Sequence, residues 1–156
     1  MGDVLFKTKG TFYRDTYYVH ASFLVDVRRP YSSINVRLSY NPLFCAVSDE
    51  CQREEMRQAL AEQIFRTDEP FVSECVEKAY PIKNMISVAI RGPEKWLGEH
   101  HCFNGGLEEI RLGEKPTPGF FSAPNTAGQY EFVLHVFGIY TPECHYEFEV
   151  MGENDI

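Results

Sequence analysis

Ten side chains in this chain have metal-binding or nucleophilic chemistry: His20, His100, His101, His135 and His145, with Cys45, Cys51, Cys75, Cys102 and Cys144. Two ligands from one strand share a face only at i, i+2 spacing. His100 and Cys102 meet that condition, whereas His101 points to the opposite face. A third ligand would come from His20, His135 or Cys144, giving a zinc or copper site of mixed nitrogen and sulfur. The competing reading is that His and Cys inside alternating segments fill partly buried sheet positions. The spacings match no known ligand pattern and favour that reading, so no metal and no cofactor are expected.

Nucleophilic chemistry has little support. Cys51 falls in the first turn of an expected helix, where the dipole favours the thiolate, but Asp49 and Glu50 oppose it. No Gly-x-Ser-x-Gly occurs. Asn104-Gly105-Gly106-Leu107 lacks the lysine and the following helix of a phosphate loop. Glu108-Glu109 reads as a solvated charge pair, and no two carboxylates are placed about a sugar by spacing alone. No catalytic residue is expected.

Aromatic residues are the better functional signal. The chain has 12 Phe and 9 Tyr, and Tyr13, Tyr17, Tyr18, Tyr31, Tyr40, Trp96 and Tyr140 are more than one core needs. Tyr and Trp are enriched in binding surfaces because each offers an apolar ring with a polar tip. The expected ligand-binding residues are Trp96, His100 and Tyr140, holding a protein partner or a small ligand.

The elements that must position these residues follow from periodicity. Val4 to Gly10 reads as extended, and Thr11 to Asp26 as one strand whose odd positions are apolar. Ile34 to Tyr40 alternates and stops at Asn41-Pro42. Met56, Leu60 and Ile64 recur every four residues, predicting an amphipathic helix over 49–66 with an acidic first turn. Residues 67–81 fit either a short strand or a helical turn. Alternation resumes from Ile82 to Ile90, from Trp96 to Phe103 and from Leu107 to Leu112. A Pro/Gly-rich turn at 117–124 then precedes two further alternating segments, Gln129 to Phe137 and Cys144 to Met151. Seven or eight strands with one helix predict a single mainly β domain over 1–156, an antiparallel two-sheet sandwich of jelly-roll or immunoglobulin-like form.

Composition narrows the partners. Fifteen basic against 23 acidic residues give a formal charge of −8, which repels polyanions and argues against nucleic acid. No apolar run is long enough to span a bilayer and no export signal is legible, so no membrane partner and a cytoplasmic location with reduced thiols are expected.

One resemblance extends these readings. The stretch Ile86-Ser87-Val88-Ala89-Ile90-Arg91-Gly92-Pro93-Glu94-Lys95-Trp96-Leu97-Gly98 is followed by Thr117-Pro118-Gly119-Phe120 and Ala127-Gly128-Gln129-Tyr130. This pattern resembles the β-sandwich accessory domain that precedes the catalytic domain in some bacterial PHP-type metal-dependent phosphoesterases. The closing Gly-x-Tyr-x-Phe-x-Leu-x-Val rhythm is similar to that of bacterial pre-peptidase C-terminal domains. The match covers about residues 82–151, and the helix at 49–66 has no counterpart in it. What the resemblance implies is an accessory sandwich without catalytic residues of its own. The expected function is thus a noncatalytic binding module. The alternatives are a small metal-dependent hydrolase using His and Cys ligands, or a structural protein that pairs sheet edges in a homodimer.

Overall fold

The computed structural model describes residues 2–45, 53–54, 57–58, 69–79, 81, 83–100 and 105–154. Eight strands carry the fold: β1 (Asp3–Tyr13), β2 (Tyr17–Val27), β3 (Ser33–Asn41), β4 (Met85–Arg91), β5 (Trp96–His100), β6 (Leu107–Gly113), β7 (Gly128–Gly138) and β8 (Glu143–Glu153). A helix, α1 (Glu69–Ala79), lies between β3 and β4.

The pairing is nested. β1 pairs with β8, β2 with β7, β3 with β6 and β4 with β5, all antiparallel. The chain is therefore one long hairpin with its tip between β4 and β5. Rolling that hairpin brings β3 beside β8 and β4 beside β7. Two four-stranded sheets result, ordered β1-β8-β3-β6 and β2-β7-β4-β5. Of the two sandwich forms expected, this connectivity is the jelly roll.

Period-two patterning fills the space between the sheets. Ile34, Val36 and Leu38 from β3 face Tyr130, Phe132, Leu134 and Val136 from β7, with Ile86, Val88, Ile90, Phe148 and Val150 completing the core. Each such side chain contributes about 1.5–3 kcal/mol when fully buried. The expected exposed aromatics include two that belong here instead: Tyr40 is buried because it shares the inward parity of Ile34, Val36 and Leu38, and Tyr31 is buried with its ring packed over Gly152 of β8.

Two local readings change. Thr11 to Asp26 is not one strand: the chain reverses between β1 and β2, where Asp15 takes φ 68° and Thr16 bonds back to the Tyr13 carbonyl. Residues 69–79, left open between strand and helix, are helical. The helix expected over 49–66 lies mostly outside the described residues, as do Cys51, His101 and Cys102. Residues 53–54 and 57–58 are helical. Arg53 pairs with Glu77 at 3.6 Å, and Arg57 Nη1 donates to Ser73 Oγ at 3.0 Å, so this segment runs antiparallel to α1. The excursion leaves and re-enters the sandwich at one point, the bridge between Phe44 and Lys83. No helix among the described residues is long and apolar enough to cross a membrane.

Candidate functional site: the tyrosine-lined end

Register places the candidate residues at two ends of the sandwich. One end carries the β1–β2 turn, the β7–β8 connection, the last residues of β3 and the first of β4 and β6. His100 and Tyr140 belong to this end. Trp96 pairs with Arg91 at the opposite end of β4, and is 45% exposed there. The structure thus brings two of the three expected binding residues to one end and sets the third apart.

Tyrosines dominate this end. Tyr13, Tyr17 and Tyr18 are 60%, 40% and 69% exposed. The Tyr17 ring lies 5.7 Å from that of the half-buried Tyr140, and its hydroxyl donates to Asp15. Arg14 Nε donates to the Tyr140 carbonyl, tying the turn to the β7–β8 connection. Tyr18 holds φ 52°, in the left-handed region, which costs a bulky residue of order 1–3 kcal/mol.

A hydrogen-bonded hub supports the rim from below. The fully buried Asn84 donates from Nδ2 to the Pro42 carbonyl and to Thr141 Oγ1, and its Oδ1 accepts from the Tyr140 and Thr141 backbone N–H groups. Thr141 Oγ1 passes the chain on by donating to the Glu143 carbonyl.

Beneath the same end lies an acidic group that the sequence reading placed in solvent. Glu109 is exposed, but the Glu108 side chain is 1% exposed and points between the sheets. The signal was present: Glu108 shares parity with the buried Ile110 and Leu112. Neither of its oxygens has a hydrogen-bond partner among the described residues, and burial pushes its pKa up to about 8. His100, directly opposite Val88 on the inward face, brings Nδ1 to 3.6 Å from Glu108 Oε2. The Tyr40 hydroxyl lies close by and approaches the Ile86 backbone without completing a hydrogen bond; burial above all, then Glu108 and Cys144, push its pKa up to about 12. Burial likewise pushes the Cys144 thiol up to about 11.

The outer face of the β2-β7-β4-β5 sheet has its own polar row. Glu99 Oε1 accepts from Ser87 Oγ at 3.2 Å and from His135 Nδ1 at 2.9 Å, and His135 stacks on His20 at 4.3 Å. The serine is bonded to the carboxylate and not to the imidazole, so this row is not a nucleophile–base pair. Its outward facing also separates His20 and His135 from His100, which removes both as partners for an inward site. Among the described residues no three His, Cys, Asp or Glu side chains are placed to share a metal ion.

No protein-family model matches the chain, and no curated protein matches it. Solved structures share a coarse likeness. A protein from Sulfurospirillum deleyianum aligns at 9% identity and a TM-score of 0.39, over 92% of this chain and 96% of that one. The catalytic domain of a GH87 α-1,3-glucanase in complex with tetrasaccharides aligns at 11% identity and a TM-score of 0.34, over 94% of this chain. The same domain in complex with nigerose aligns at 10% identity and a TM-score of 0.33. The match spans 22% of the glucanase chain.

Proposed function

We propose that the protein is a noncatalytic binding module whose recognition surface is the tyrosine-lined end. The observation that carries this reading is Tyr18: an exposed aromatic held in a costly backbone conformation beside exposed Tyr13 and Tyr17. Strain of this kind persists where the surrounding structure imposes it, and it clusters at binding and catalytic sites. Phenol rings offer flat apolar area at small entropic cost, with a hydroxyl for hydrogen bonding at the edge. Such a surface suits a partner protein's side chains or the face of a small ring-containing ligand. The accessory role implied by the resemblance of residues 82–151 is consistent with it, although Trp96 then stands outside the site.

Comparative capture tests this reading. The full chain and a Tyr13→Ser/Tyr18→Ser variant would be screened against the same peptide and glycan arrays, with circular dichroism to confirm the fold. The expected result is a ligand that the parent retains and the variant binds at least tenfold more weakly. A ligand retained equally by both would overturn the assignment of this surface.

A further inference from the structure

Three clefts lie end to end on the outer face of the β1-β8-β3-β6 sheet. The first, of about 410 Å3, and the second, of about 170 Å3, share Arg37 and Glu149. The second and the third, of about 230 Å3, share Ser39 and Glu147. Together they form one trough over β3 and β8 from Glu153 to His145, roughly 27 Å at about 3.4 Å per residue. The face is dished: Asn35, Ser39 and Glu149 on the two inner strands are half-buried, whereas Lys7 and Glu109 on the flanks are exposed.

Charge alternates across the trough. Register puts Lys7, Glu149, Arg37 and Glu109 in one row spanning all four strands. Lys7 Nζ lies 3.1 Å from Glu149 Oε1, and Arg37 Nε 3.8 Å from Glu109 Oε1. An anionic ligand would meet the carboxylates, and a cationic one the ammonium and guanidinium groups. A hydroxyl donates to the first and accepts from the second, and hydrogen bonds to charged partners are the stronger kind. In the next row Ser39 and Glu147 make no side-chain hydrogen bond or ion pair among the described residues, so both are available to a ligand. An extended peptide fits less well, because it binds by adding to an open sheet edge, and β3 and β8 are inner strands paired on both sides.

We propose that the trough takes an uncharged glycan chain laid along β3 and β8. Tyr13 stands at its His145 end, where it pairs with Glu143 and shares the outward parity of Lys7 and Lys9, and it offers the terminal sugar an apolar face. The inference rests on the tyrosine-rim reading for that end, and adds to it the ligand class and the path of the chain.

The test is isothermal titration of the full chain with uncharged hexasaccharides of glucose, mannose, xylose and N-acetylglucosamine. Hexasaccharides of galacturonic acid and of glucosamine, and a Ser/Thr-rich decapeptide, serve as comparisons. At least one uncharged hexasaccharide is expected to bind, and its trisaccharide to bind at least tenfold more weakly. Glu147→Ala, and Ser39→Tyr, which fills the trough at its middle with a good strand former, should each weaken the hexasaccharide at least tenfold while circular dichroism shows the fold intact. Lys95→Ala, between β4 and β5, should change nothing. Loss of binding in the Tyr13→Ser/Tyr18→Ser variant with both trough variants unaffected would overturn the trough and keep the rim; loss in the trough variants alone would keep the trough and overturn the rim. Binding of no uncharged hexasaccharide at millimolar concentration, or a preference for a charged sugar or the peptide, would overturn the proposal.

Discussion

Tyr18 and Glu108 each occupy a position that a stability-optimised chain would give to another residue. At φ 52° the Tyr18 backbone suits asparagine, which visits the left-handed region at little cost. Because the side chain is mostly exposed, little packing is lost on its removal. Tyr18→Asn is therefore expected to raise stability by about 0.5–1 kcal/mol, read as a higher urea midpoint at unchanged slope, while weakening ligand capture. A destabilised Tyr18→Asn variant would mean that the ring is held by packing rather than retained for recognition. These two residues were unequally legible. An aromatic excess could be counted, but the strain at Tyr18 depends on backbone geometry that no composition shows. Glu108 could have been placed inward by its parity with Ile110 and Leu112. The adjacent Glu109 hid it, since two successive carboxylates look like a solvated pair until the register with Leu38 and Arg37 is known.

Among the elements, Asn84, at the base of the helical excursion, joins two segments distant in sequence: the residues just after β3 and the β7–β8 connection. Its amide satisfies two buried backbone N–H groups and two acceptors. Asn84→Ala would leave the Tyr140 and Thr141 N–H groups without this acceptor, and each unsatisfied buried group costs about 1–3 kcal/mol. A loss of about 2–4 kcal/mol in equilibrium urea unfolding is expected; a loss below 1 kcal/mol would show that the connection repacks around water. The strands themselves were legible wherever one face is buried, as in β3, β7 and β8, because alternation then has no competitor. The β1–β2 reversal was not, since Tyr13-Arg14-Asp15-Thr16-Tyr17 contains neither Gly nor Pro and continues the aromatic run. Nor was α1: Phe71-Val72 and Cys75-Val76 give apolar pairs that fit both a strand and a helix.

For the whole molecule, the sheet edges decide self-association. A long, flat, unpaired edge strand is a template for another chain. Here β1 carries a register irregularity between Val4 and Phe6 and presents Lys7 and Lys9. The edge of β5 is partly covered: Gly98, at φ 140°, lets the 119–121 segment approach, so that Phe120 bridges to it and Phe121 N–H donates to the Leu97 carbonyl. On β6, Arg111 and Gly113 accept from Thr117 and Ala123. The left-handed Tyr18 distorts one end of β2. With all four edges interrupted, the chain is expected to sediment as a monomer at tens of micromolar, and a concentration-dependent dimer would show that one edge is open enough to pair.

The nested hairpin also dictates when folding can happen. Arg91 and Trp96 meet across a short loop, but Tyr17 must find Gly138, and Asp3 must find Gly152. Contacts this remote in sequence make closure slow, because chain entropy is lost before the contacts form. During synthesis the first three strands emerge long before the segments that flank them on either sheet. The segment carrying β1, β2 and β3 therefore waits, unpaired, until β6, β7 and β8 have been made, and its strands depend on how soon those later segments follow.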